Sequence, residues 1–97
     1  MPKGYWVAHA TVDDPAAYEA YRAANAEAFA KFGARFVIRG GPQEVMEGAQ
    51  RPRTVVIEFA DVETARACYM SPEYQRAKAL RDPVSTADVV IVAGWDG

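Results

Sequence analysis

From Arg35 to Phe59 the chain reads RFVIRGGPQEVMEGAQRPRTVVIEF. Two runs rich in Val, Ile and Phe stand at its ends, Arg35–Gly40 and Arg53–Phe59. Runs of this composition bounded by Gly and Pro read as strands. Gly48–Pro52 between them reads as a turn. Two strands in succession with no helix between them point to antiparallel pairing. What flanks the pair then decides the fold.

Upstream, Tyr5–Val12 (YWVAHATV) is another run of β-formers. Asp13-Asp14-Pro15 follows it and reads as a helix start. Asp14 can cap, and Pro15 at the first helical position loses no needed N–H. The helix should run to about Phe32. With 100° per residue counted from Tyr18, Tyr21, Ala28, Phe29 and Phe32 fall on one stripe. Gly33 is placed to end it in the left-handed conformation. Downstream, Asp61 opens a helix reaching about Met70, and Ser71-Pro72 caps and restarts it. A further short helix ends before Pro83. Asp88–Gly94 (DVVIVAG) is almost unbroken Val and Ile, which predicts a central strand covered on both faces.

The order is β-α-β-β-α-β, the ferredoxin-like α+β arrangement. Residues 1–97 are expected to form one domain.

Alternation along the strands assigns the faces. Trp6, Ala8, Ala10, Val12, Phe36 and Ile38 fall in one set, with Val55, Ile57 and Phe59 as partners. This set is apolar and should meet the helices. The other set holds Tyr5, Val7, His9, Thr11, Arg35, Val37, Arg39, Thr54, Val56 and Glu58. It is mixed, yet Tyr5, Val7, Val37 and Val56 make a patch too apolar for open water. Such a patch marks a partner surface. The simplest partner is the same face of a second copy, giving a homodimer in which two sheets close into a barrel.

Composition narrows the functional classes. About half the residues are apolar and a quarter charged, as in ordinary globular chains. The net charge is −2, and the eleven Lys and Arg are scattered along the sequence. No basic stripe recommends nucleic acid. No apolar run is long enough to span a membrane, and the first residues lack the core of a signal peptide. One Cys and one His make an intrachain disulfide impossible and a metal site unpromising. A cytoplasmic setting is expected.

KGYW at a strand start, DP with Y..Y at a helix start, RFVIRGG with EVMEG, VVIEF, and SPEYQ.AK occur in that order. Together they resemble the domain of unknown function 1330 family, small bacterial proteins of the dimeric α+β barrel superfamily. The resemblance implies the ferredoxin-like monomer and the back-to-back dimer. It implies no particular activity. The wider superfamily includes cofactor-free monooxygenases, lactone isomerases, haem enzymes and stress-response proteins, and no haem-ligand motif can be placed here.

Three groups of residues could carry chemistry. Arg39-Gly40-Gly41 could cradle an anion with backbone N–H groups. No helix start follows it, so a bulge or bend is the better reading of the glycines. By strand alternation Arg39 shares a face with His9 and Glu58. A base, an acid and a fixed cation could transfer protons on a carbonyl compound. The same trio could instead be an ion pair inside a dimer interface. Asn25 falls in the middle of the apolar helix stripe, where a buried amide needs partners. It could bind a ligand in a pocket with Tyr18, Tyr21 and, from the later helices, Tyr69 and Tyr74, or bond a strand carbonyl or a phenol. Ser71 reads as a helix cap, and Cys68 as a small buried hydrophobe.

Two functional readings follow. One is a small enzyme of oxygenase or isomerase type, without a tightly held cofactor or metal, acting on a carbonyl-bearing or aromatic metabolite. The other is a non-catalytic dimeric ligand-binding or stress-related protein.

Overall fold

The computed structural model describes residues 2–96. Strands β1 (Gly4–Val12), β2 (Arg35–Arg39), β3 (Arg53–Phe59) and β4 (Ser85–Ala93) form one antiparallel sheet in the order β2-β3-β1-β4. Helices α1 (Pro15–Lys31), α2 (Val62–Met70) and α3 (Pro72–Arg81) cover one face, and a 3₁₀ turn at Asp82–Val84 leads into β4. This is the ferredoxin-like α+β fold expected from the order of elements.

The helix ends are set by the capping residues. The Asp14 carboxylate accepts from Ala17 N–H at 3.1 Å, and Asp61 does the same for Thr64 at 2.7 Å. The Ser71 hydroxyl donates to the Cys68 carbonyl and accepts from Tyr74 N–H, so it closes α2 and opens α3. Gly33 turns the chain out of α1 at φ +66°.

The core lies between the helices and the inner face of the sheet. Trp6, Phe29, Ile57, Phe59 and Tyr74 are its large members. The Trp6 indole N–H donates to the Ala65 carbonyl at 2.8 Å, tying β1 to α2. Phe29 and Tyr74 meet the indole edge-on, with centroids 5.3 and 4.8 Å away.

Two features differ from the sequence expectation. β4 is an edge strand, not a central one, and it starts at Ser85 because its ladder with β1 continues to Val12. Its Val and Ile run is divided: Val89 and Ile91 oppose inward Ala8 and Trp6, while Val90 and Val92 are exposed on the outer face. The second difference concerns β2. Phe36 opposes Ile57 but Ile38 opposes Val56, so a bulge lies at Val37. One extra residue reverses the alternation beyond it. Ile38 therefore joins the outer face, and Arg39, opposite Val55, turns toward the helices.

Gly40 adopts φ +69°, and its N–H donates to the Thr54 carbonyl at 2.9 Å. A Cβ there would run into the Arg53 guanidinium, whereas one on Gly41 would meet nothing within 4 Å. Gly40 thus bends the hairpin and leaves room for Arg53. Gly40→Val should cost about 1–2 kcal/mol from backbone strain alone, a drop of several degrees in melting temperature for a domain of this size. Gly41→Val should melt close to the wild type. Equal melting of both variants in a thermal scan would contradict this assignment.

Candidate functional site: a cleft between helices and sheet

The inner face of the sheet is graded in size. Along β1 the inward residues are Trp6, Ala8 and Ala10, and opposite Ala10 on β4 stands Ala87. Near Trp6 the space is filled by rings. Toward Ala10 the three alanines leave it open, and a cleft forms beneath α1 and α3. The space open to the centres of water molecules amounts to about 40 Å³. Its walls include Trp6, Tyr18, Tyr21, Asn25, Phe36 and Tyr74. A broader groove of about 340 Å³, walled by Val12, Pro15, Glu19 and Pro52, shares Tyr18, Arg22 and Arg53 with the cleft and forms its mouth.

Asn25, Tyr18, Tyr21 and Tyr74, the proposed ligand-binding residues, do come together here. Tyr69 does not line the cleft. It packs on the other rings of the core, 5.6 Å from Trp6 and 5.4 Å from Tyr74. The Tyr21 and Tyr74 hydroxyls are hydrogen-bonded at 2.9 Å. Burial raises the pKa of Tyr21, against opposing effects of the Tyr74 hydrogen bond, the Arg81 charge and Asn25. Burial also raises that of Tyr74. Both phenols stay protonated at neutral pH and serve as donors or acceptors, not as bases.

Four arginines also line the cleft: Arg22, Arg39, Arg53 and Arg81. Arg39 stacks on Phe36 with its guanidinium carbon 4.0 Å from the ring centroid. Arg53 lies over Tyr18 at 5.7 Å, and Arg81 over Tyr21 at 5.6 Å. Only Arg39 figured among the sequence candidates. The signal for the others was present in the periodicity. Arg22 lies about 40° from Tyr18 on the helix wheel. Arg53 has the inward parity of Val55 and Ile57. Arg81 falls seven residues after Tyr74, on the buried side of α3.

The expected trio of His9, Arg39 and Glu58 is not assembled. The bulge at Val37 sends Arg39 to the opposite face of the sheet from the other two. His9 and Glu58 share the outer face at different ends. His9 pairs opposite Thr54, and Glu58 opposite Tyr5, four residues back along β1 and so about 13 Å away along the strand. The His9 Nδ1 lies 3.1 Å from the Thr54 hydroxyl, which itself donates to Gln43. Glu58 accepts from Tyr5 at 3.0 Å, Lys3 at 3.2 Å and Arg35 at 3.3 Å. It is a fully engaged carboxylate on a strand surface.

Cys68 is buried on α2, and burial with the nearby Glu73 charge pushes its thiol up to about 12, so it is not a nucleophile. Among the described residues, no three of His, Cys, Asp and Glu stand together as a metal-ligand set. Among the described residues, no helix is long and apolar enough to cross a membrane.

A ferredoxin-like sheet with a cleft under its helices defines a class of small α+β domains. Within that class, the chain belongs to the family described as domain of unknown function (DUF1330), whose profile matches residues 3–95. No functionally curated protein matches it. Among solved structures it is similar to the RPA0582 protein of unknown function from Rhodopseudomonas palustris, at 15% identity and a TM-score of 0.77, covering 99% of this chain and 85% of that one. It is similar to SnoaB, a cofactor-independent oxygenase from Streptomyces nogalater, at 19% identity and a TM-score of 0.67, covering 100% and 97%. It also resembles a dimeric ferredoxin-like protein of unknown function from Thermobifida fusca, at 18% identity and a TM-score of 0.64, covering 95% and 91%. At these identities the likeness is one of fold.

The outer-face network yields a test by pH. Hydrogen bonds from Arg35 and Tyr5 lead the effects that lower the Glu58 pKa. A depressed carboxylate pKa stabilises the fold above the unfolded value, about 4.3, and that contribution is lost as pH falls through the folded value. Glu58→Gln should therefore flatten the fall in melting temperature on acidification below about pH 5. An acid limb identical to that of the wild type would show that the network contributes nothing.

Proposed function

We propose that this chain is a small-molecule-binding domain whose site is the cleft under α1 and α3, and that its occupant is a small planar metabolite, aromatic or carbonyl-bearing. The observation that carries the proposal is the unfilled space beside Ala8, Ala10 and Ala87 in an otherwise close-packed interior. Ligand sites are typically apolar concavities with a few converging polar groups. Here the apolar walls are largely aromatic, and the polar groups include the Asn25 amide and the Tyr21 and Tyr74 phenols, with the four arginines beside them. A carbonyl oxygen in the cleft could accept from these donors.

A cofactor-free enzymatic role is supported by the donors around the cleft and by the fold shared with a protein described as a cofactor-independent oxygenase. The cleft lining holds no Asp, Glu or His. Moving a proton between two carbons calls for a resident base, so the isomerase alternative fits this lining less well than a reaction in which the substrate supplies its own ionised group. Pure binding, without turnover, needs only the cleft.

The test uses phenol, indole and 2-naphthol with the full chain. The Trp6 indole N–H should shift in the NMR spectrum on addition of at least one of them. Ala87→Phe fills the open end of the cleft and should abolish the shift while leaving the fold intact. Binding undiminished in the folded Ala87→Phe protein would place the site elsewhere. Oxygen uptake with any bound compound would separate catalysis from binding.

A homodimer through the outer sheet face belongs to the same proposal. Ile38, Val90 and Val92 are 45%, 56% and 46% exposed there, beside Val7 and Val56. Polar networks flank the strip at both ends, around Glu58 and around His9 with Thr54. An apolar centre with a polar rim suits a self-complementary interface, and similar folds are described as dimeric. Light scattering should give twice the chain mass, and Val90→Lys should shift the species to the monomer. A monomeric wild type at micromolar concentration would remove the barrel.

A further inference from the structure

We infer that the occupant of the cleft is an anion: a small aromatic or apolar carboxylate whose negative charge is received by the arginines lining it. The inference rests on the cleft being a binding site and adds the charge class of what binds. A chain of net charge −2 places four of its eleven Lys and Arg around one small cleft. Gathering like charges is unfavourable unless something offsets it. The resident carboxylates offset little. Glu19 pairs with Arg22 at 2.7 Å on the exposed side, and Asp82 approaches Arg81 only to 3.8 Å, beyond hydrogen-bond range. Among the described residues, Arg39 and Arg53 have no carboxylate within 4.0 Å.

Arg81 is the strongest of the four. It is 93% buried, and its Nε has no partner among the described residues. The Nε atoms of Arg22 and Arg53 are also buried without a partner. A buried donor left unpaired is costly and calls for an explanation. Stacking supplies part of it. Arg39, Arg53 and Arg81 each lie over an aromatic ring. A ring engages the face of a guanidinium and leaves the in-plane N–H donors free. Those donors match a carboxylate in geometry and charge. Arg22 and Arg53 border both cleft and groove, so an anion entering through the mouth meets them, and its apolar body can reach the aromatic walls.

Benzoate and benzamide, alike in shape and different in charge, test the inference on the full chain at neutral pH. Benzoate should shift the Trp6 indole N–H and the arginine Nε–H signals with an affinity about tenfold or more above that of benzamide, and the difference should shrink as salt rises. Arg81→Met should bring benzoate down to the level of benzamide. It should also leave the unliganded protein at least as stable as wild type, since it removes a buried charge whose nearest carboxylate, on Asp82, stands 3.8 Å away. If Arg81→Met does not fold, the more exposed Arg53→Met carries the same expectation for affinity. Equal binding of the two probes in the cleft overturns the anion and leaves the cleft as a binding site. Benzoate affinity unchanged in the folded variant overturns it as well. Silence of the cleft toward benzoate overturns it too. If phenol, indole and 2-naphthol also leave the cleft untouched, the binding reading falls with it.

Discussion

The indole N–H of Trp6 has one place to go. It is enclosed by Phe29, Phe59, Tyr69 and Tyr74, and its proton reaches the Ala65 carbonyl. Leaving such a donor unpaired would cost roughly 1–3 kcal/mol. That bond fixes the distance between β1 and α2. Because β1 pairs with both β3 and β4, the whole sheet is held at that spacing. The surrounding rings then lock α1 and α3 over the same point. At the Trp6 end the interior is full. The same spacing carried two and four residues along β1 spans only alanines, and the cleft is the result.

The cleft is therefore a product of the packing that stabilises the domain. Large rings at one end of the sheet act as a wedge, and the helices cannot settle onto the small residues at the other. Tyr21 and Tyr74 stand at the boundary. Their hydroxyls bond to each other across the gap between α1 and α3, beside the buried Arg81 side chain. A hydrogen bond between two buried hydroxyls holds only over a narrow range of distance, which gives the helix pair a defined separation.

Much of this was legible from one chain. The order of elements, the caps at Asp14, Asp61 and Ser71, and the burial of Asn25 in the α1 stripe all follow local rules of short range. The expectation of a central β4 failed because a Val-rich run shows that both faces carry apolar residues and not where in the sheet the strand lies. The misplaced Arg39 has a sharper cause. Alternation is a parity count, and a single bulged residue at Val37 inverts every assignment after it. In the sequence Gly40-Gly41 reads as the irregular point, but glycine marks where the chain can bend and not where the ladder gains a residue. The arginine cluster was hidden for a different reason. Its members are spread from residue 22 to residue 81, and a linear view of charge cannot see convergence in space. Arg22, Arg53 and Arg81 each have the right phase for the interior, but the phase within one element does not say that four elements bring their arginines to the same cleft.

The connection between β2 and β3 has one more implication. Residues 41–50 are all exposed, and the segment without regular structure continues to Pro52, which lines the mouth of the cleft. The sheet register on either side is fixed by Gly40 and by the β1–β3 ladder, so the segment bears little of the fold's stability. Loop-closure entropy rises slowly, by about 0.6 kcal/mol for each doubling of length. Insertions here would reshape the entrance while leaving the Trp6 wedge and the aromatic walls as they are. In this domain, the shape of the entrance can change separately from what holds the domain together.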